Sequence, residues 1–566
     1  MVLKQRPPLL VTVSTAALLV LGGAAAYLGI GSRLSSGPKP PMGMELVPSD
    51  ALMALTLTTD ESQWTRLRQM GTPESQRGLD RWLVTWRDRI ISANGYRFRT
   101  DIQPWLGEQV TLAFLPKSAT SKGATEMVLV VPIADSSKAQ EILSEPQEGI
   151  TWVGRDYKGV SIQSITTAAG ETYESTVLGS KWLVLASGTK GIEAVIDSSE
   201  GGVSMLNNDD YQQAFKHLNI SSAMAQVYIN VPVAASVFTG SDTLPEINGL
   251  VAAANLLPNG LDIEASTWLG PEDQPVYRDM VNAPAMAPSR LPADTVIMVS
   301  TSSIGPLWQA LKDAERINGL LPVSSESLAK GLKTQTGLDI DNDILPWLGG
   351  EAAFGLLPPA DDDRPESTIP MGQLALVADV ADRQAADVTW EQLNEVLVSR
   401  FRFDVEPLQI NSQPVSKLVS FPGGIAMGHG WLDQDVTFFA MGPDILDQIA
   451  PRPDTSLRTN RAFKTLLDTS PQDNSGYFFV DVERLTELQG TLPFPILPDG
   501  LFFSALRSLG VTTRVQDERS LSYDIFVELP KGQRVKPLPE SKIASPEKDP
   551  DADAGSEADP ESSLEN

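Results

Sequence analysis

Between residues 47 and 530 the chain passes twice through one series of sequence landmarks, which is the signature of a fold built from related units. Val47-Pro48-Ser49-Asp50 and the apolar run after it resemble Leu291-Pro292-Ala293-Asp294 and its own apolar run, with the prolines 292 − 48 = 244 positions apart. Trp64 and Leu67 recur at the same offset as Trp308 and Leu311. Asp101-Ile102-Gln103-Pro104-Trp105-Leu106-Gly107 recurs as Asp343-Ile344-Leu345-Pro346-Trp347-Leu348-Gly349, now 242 positions on. Looser matches follow in the same order: 182–187 with 436–441, and 226–231 with 477–482. Each series closes on an apolar stretch, 261–269 and 521–529.

These landmarks predict two tandem copies of one domain, at 47–269 and 291–530, joined by a Pro-rich connector at 270–290. Within a copy, runs such as Gly159-Val160-Ser161-Ile162-Gln163-Ser164-Ile165 alternate with period two, as half-buried strands do. Short turns between such strands favour antiparallel pairing, so the expected class is α+β, a mainly antiparallel sheet with helices. The polar stretches 117–126 and 359–368 occupy equivalent places and read as exposed connections.

Ahead of the first copy, Lys4 and Arg6 precede 22 residues, 9–30, without a charge. As a helix they would span about 33 Å, close to a bilayer core of about 30 Å. The cationic flank predicts a cytoplasmic segment at 1–8, a single-pass anchor at 9–30 and a body on the far side of the membrane. The alternative is a cleaved signal peptide, since Ala24, Ala25 and Ala26 offer small residues for a peptidase. Residues 31–46, rich in Gly, Pro and Ser, read as a stiff spacer. Residues 531–566 read as a disordered acidic tail with too little apolar surface to offset ordering entropy.

The 566 residues carry a formal net charge of −28 and no Cys. That balance opposes a general nucleic-acid surface, which needs clustered cations to displace counterions. The lack of Cys removes disulfides, thiolate nucleophiles and zinc-thiolate sites together.

The paired Pro-Ser/Ala-Asp segment and the Asp-Ile-x-Pro-Trp-Leu-Gly turn resemble those of a largely cyanobacterial family catalogued as domain of unknown function 3352. The resemblance covers 47–530. It implies a membrane segment before an extracytoplasmic body, in the periplasm or the thylakoid lumen, and supplies no activity, cofactor or catalytic residue.

The repeated residues Pro48, Asp50, Asp101, Pro104, Trp105 and Gly107, with Pro292, Asp294, Asp343, Pro346, Trp347 and Gly349, read as structural: turn aspartates ahead of a packed Pro-Trp corner. Asp339-Ile340-Asp341-Asn342-Asp343 opens like a calcium loop, but positions six and twelve hold Ile344 and Gly350 in place of Gly and Glu. No metal or other cofactor is therefore expected. Of the two histidines, His429 lies between glycines, yet no nucleophile elbow, zinc motif or phosphate loop accompanies it, so no catalytic residue is assigned. Near residues 78–91, Leu79, Trp82, Leu83, Trp86 and Ile90 follow helical spacing beside Arg77, Arg81, Arg87 and Arg89. Arg77, Arg81, Trp82, Trp86 and Arg89 form a candidate contact for anionic lipid; a core-facing helix with solvated arginines is the plainer reading. The expected function is a membrane-tethered, non-enzymatic binding or assembly-support protein with an unknown protein partner. A lipid or pigment carrier and a hydrolase of unrecognised kind are the alternatives.

Overall fold

The structure is a computed structural model that describes residues 41–539 apart from 92–95, 117–124, 144–150, 167–171, 216–217, 219–222, 235–246, 271–274, 276, 314–324, 359–371, 421–425, 443–444 and 489–504. The expected cytoplasmic segment and anchor, and the two polar connections up to residues 124 and 368, lie outside the described residues. Among those described, no helix is long and apolar enough to cross a membrane.

In the first half the strands are β1 (Met53–Thr58), β2 (Gln109–Pro116), β3 (Thr125–Pro132), β4 (Thr151–Tyr157), β5 (Val160–Thr166), β6 (Thr172–Leu178), β7 (Trp182–Ala186), β8 (Ala225–Asn230), β9 (Ile247–Leu257) and β10 (Gly260–Leu269). The helices are α1 (Glu61–Arg68), α2 (Pro73–Ile90), α3 (Ser136–Leu143), α4 (Thr189–Ser199) and α5 (Asp209–Phe215). In the second half the strands are β11 (Ile297–Thr301), β12 (Leu348–Leu357), β13 (Gln373–Val380), β14 (Phe403–Ile410), β15 (Gln413–Ser420), β16 (Ala426–Trp431), β17 (Val436–Met441), β18 (Gly476–Asp481), β19 (Ser508–Asp517) and β20 (Ser520–Glu528). Its helices are α6 (Ile304–Asp313), α7 (Ser325–Thr336), α8 (Arg383–Phe401), α9 (Ile445–Ile449), α10 (Arg461–Thr469) and α11 (Val482–Glu487). The class is α+β and, among the described residues, every strand pairing is antiparallel.

Pairing runs β4-β5-β6-β7-β3-β2-β1-β8-β9-β10 in the first half. It runs β14-β15-β16-β17-β13-β12-β11-β18-β19-β20 in the second. The last strands of the two series then pair with each other, from Gly260↔Glu528 to Trp268↔Ser520, with Glu264 facing Asp524 at the centre. One twenty-stranded sheet results.

Local sequence explains the turns and helix starts. Lys158-Gly159 and Asn411-Ser412, all at positive φ, close the β4-β5 and β14-β15 hairpins as two-residue turns matched to strand twist. Thr72 caps α2 by accepting from the Ser75 amide, with Pro73 at the first position, and Asp382 caps α8 through the Ala385 amide.

Helices lie on both faces of the sheet. On one, α4 and α5 cover a core holding Ala54, Val128, Ile192 and Tyr211, and α9 and α10 cover another around Phe438, Phe463 and Phe479. On the opposite face, Leu67 and Met70 beside α1 pack with Val480, Leu485 and Val527 of the second half. The halves thus share a core as well as a sheet edge, and do not stand apart as separate lobes.

Three segment boundaries move. Met44 and Leu46, counted with the spacer, are buried in the first core. The connector's Ala287 is buried in the second core, and its Asn282 exchanges hydrogen bonds with the Val515 backbone, because a strand edge there supplies partners. Residues 531–539, assigned to the tail, run along α1 and α2: Met70 bridges Lys531, and the Gly532 amide donates to the Gln69 carbonyl at 2.8 Å. Backbone pairing there supplies what side-chain hydrophobicity lacks.

Candidate functional site

The repeated aspartates, prolines and tryptophans occupy matching places. Pro48 and Pro292 are buried and bridge Ser204 and Ser456, while Asp50 and Asp294 sit on the following turns with more exposure. The Asp101 carboxylate accepts from the Arg97 amide at 2.7 Å, and the Asp101 carbonyl accepts from the Trp105 indole at 2.6 Å. Asp343 does the same with the Asp339 amide at 2.7 Å and the Trp347 indole at 2.7 Å. Hydrogen bonding lowers the Asp101 pKa although burial opposes it. A Cβ on Gly107 would stand 2.7 Å from the Pro132 side chain, and one on Gly349 2.6 Å from that of Ala381, so glycine lets the corner touch the sheet. Pro104 and Pro346 are exposed at the bend. These residues close a corner rather than line a cleft. Asp339 and Asp341 are taken up by Lys333 and Lys312, each at 2.8 Å, which lower their pKa values.

His429 stands on β16 beneath α8. Its ring stacks on Trp390 at 4.6 Å, Nε2 meets Asn394 Oδ1 at 2.8 Å, and Nδ1 has no partner among the described residues. Burial pushes its pKa down to about 4, so the ring is neutral near pH 7. Asn394 also lines an open groove of about 610 Å³ with Glu395, Val398, Ser399 and Val405. Among the described residues no Ser or Thr hydroxyl is hydrogen-bonded to this imidazole. His217 lies outside the described residues.

A broader feature begins at His429 and was not picked out from the sequence. Directly opposed residues run from it across seven strands: His429, Phe439, Leu376, Phe354, Val299, Phe478 and Val511. The neighbouring row reads Met441, Leu374, Leu356, Ile297, Val480 and Leu509. Neither row carries a charged side chain at neutral pH. Yet Leu376, Val299 and Phe478 remain 46%, 40% and 38% exposed. The signal was available: Leu374-Ala375-Leu376-Val377-Ala378 and Tyr477-Phe478-Phe479-Val480 are continuously apolar, as strands are when both faces meet apolar surroundings.

The proposed lipid-contact residues lie on α2. Trp82 is 45% exposed and stacks on Trp86 at 6.3 Å. Arg77 and Arg81 are exposed, Arg77 pairing with Glu74. The Arg89 side chain lies outside the described residues. Arg87, expected in solvent, instead donates to the Pro539 carbonyl at 2.6 Å.

The profile of a family described as "Protein of unknown function (DUF3352)" matches residues 12–529. Among curated proteins none matches the chain. Solved structures of TP0453 are similar over part of it. Crystal form III has 12% identity and a TM-score of 0.23, covering 42% of this chain and 82% of that one. Crystal form I has 13% identity and a TM-score of 0.25, covering 42% and 81%. At these scores the likeness bears on neither ligand nor activity.

Proposed function

Since the chain belongs to the family described as protein of unknown function (DUF3352), whose description names no activity, we propose a function from the geometry: a non-enzymatic binding protein that holds an elongated apolar molecule, such as an acyl chain or polyene, against the second half of its sheet. The observation that carries this reading is the uncharged row in which Leu376, Val299 and Phe478 stay exposed. Contiguous exposed apolar surface marks binding sites, and covering it contributes about 25 cal/mol per Å². The enclosed, neutral His429 fits a packing role and supports assigning no catalysis.

The same proposal takes the chain to be a duplication, because the pairing order of 47–269 recurs in 291–530, and a body tethered outside the cytoplasm by residues 9–30. A protein partner, the assembly-support reading, is favoured by one other feature: Val388, Val398 and Phe401 are exposed on α8.

The test is extraction and mass spectrometry of lipids and pigments that accompany the full chain, followed by titration with a fluorescent polyene fatty acid. Saturable binding that weakens tenfold or more in Val299→Ser/Leu376→Ser supports the carrier reading. Absence of saturable binding, or equal binding by a folded double variant, overturns it.

A further inference from the structure

Residues 531–539 contain Lys531, Arg534 and Lys536 and no anion. All three cations are exposed, as are Arg77 and Arg81 of the helix alongside. The segment is fixed as a strap at several points. Arg68 makes a two-pronged ion pair with Asp80 of α2 at 2.6 and 3.1 Å, and donates to the Lys536 carbonyl at 2.8 Å. Gln76 of α2 donates to the Gln533 carbonyl at 3.0 Å and accepts from the Gln533 amide at 3.3 Å. A Cβ on Gly532 would stand 2.3 Å from Gln76 Nε2, so the strap lies close against the helix. At its far end Arg87 holds the Pro539 carbonyl.

The sign of the chain then reverses. Residues 540–566 hold nine Asp and Glu against two Lys, a net charge of −9 + 2 = −7. We propose that this acidic segment docks on the basic surface formed by α2 and the strap, covering Trp82 and competing with any other anionic partner for it. Three observations favour this occupant over a lipid surface. The strap ends with Pro539 held by Arg87 of the helix, and the acidic segment follows directly in the sequence. Twenty-seven residues reach about 30 Å as a flexible chain, matching the roughly 27 Å length of an 18-residue helix. Tethering also gives the segment an effective concentration on the order of millimolar, which an untethered anion must exceed. Each exposed ion pair contributes little, so the contact is salt-sensitive and displaceable.

The chain has no Cys, so Ser556→Cys accepts a nitroxide quencher at one place. In the full chain held in neutral detergent, the part of the tryptophan emission that disappears in Trp82→Phe is expected to be quenched by half or more at about 0.01 M salt. It is expected to recover by about 1 M, where charges more than about 3 Å apart are screened. The quenching is expected to vanish in Arg77→Glu/Arg81→Glu/Arg534→Glu/Lys536→Glu. It is also expected to vanish when the nine tail acids become amides, a change that leaves the helix untouched. Unquenched Trp82 at low salt, or quenching that survives the amide variant, overturns the proposal. So does Trp82 emission that responds to added phosphatidylglycerol but never to the tail label, because the surface then serves lipid.

Discussion

The two halves pair their strands in one order but treat the outer face of the sheet differently. In the first half α1 lies down on it: Leu67 is 1% exposed within the shared core, and the strap locks α1 to α2 through Arg68 and Gln76. In the second half the counterparts of Leu55 and Val227, Val299 and Phe478, stay substantially exposed. The difference teaches that a strand order does not fix which surface is buried. A nine-residue segment arriving from the far end of the chain secures the helices of one half, and the described residues of the other have no such fastening.

The largest expected effects test what the halves share. Trp105→Ala and Trp347→Ala should each cost about 3–5 kcal/mol in denaturant unfolding, since both side chains are buried and hydrogen-bonded at matching corners. Trp347 should lose about 1 kcal/mol more, because its indole also reaches Thr389 Oγ1 at 3.1 Å. Markedly unequal losses in the other direction would break the equivalence of the corners.

Next, Leu67→Ala should cost about 2–5 kcal/mol, whereas Val299→Ala and Leu376→Ala should cost under about 1 kcal/mol. Equal costs in the same titration would mean that the second face is as closed as the first.

The junction itself is sensitive to pH. Burial, then the neighbouring Glu264 and Asp524, push the Asp262 pKa up to about 7, and burial with Glu264 pushes Asp524 to about 6. A carboxyl whose folded pKa exceeds its unfolded value stabilises fully below about pH 4, and that stabilisation is lost as pH rises through the folded value. Asp262→Asn should therefore raise the Tm at pH 8 by the equivalent of about 1–3 kcal/mol and change it little at pH 4. A gain as large at pH 4 as at pH 8 would remove the titration from the explanation.

The smallest effect sharpens the role of the strap. Gln76→Ala should cost about 1–2 kcal/mol and speed amide exchange in α2, with exchange in α6 and α7 unchanged. Faster exchange in all these helices would show a global rather than a local fastening.

Much of this architecture was legible in the chain. The Asp-to-Trp corners could be read because each indole finds its partner four residues away, whereas Pro48 and Pro292 could be read only as a repeated motif, since the residues they bridge, Ser204 and Ser456, lie more than 150 positions on. His429 could be noticed but not interpreted, since its partners Trp390 and Asn394 come from a helix more than thirty residues earlier. The strap escaped notice because Arg68 and Lys536 are 468 positions apart and the segment is held by backbone carbonyls, which leave no mark in side-chain composition.

The sequence by itself determined the α+β class, the repeated landmarks and the order of elements, because periodicity, caps and turn residues act over a few positions. Only the tertiary structure decided that β10 would join β20 rather than end each half at a free edge, which helices would be fastened down, and which apolar face would stay open. Those outcomes depend on strand edges and surfaces meeting across hundreds of residues, where hydrogen-bond register and steric fit select among pairings that local sequence leaves equivalent.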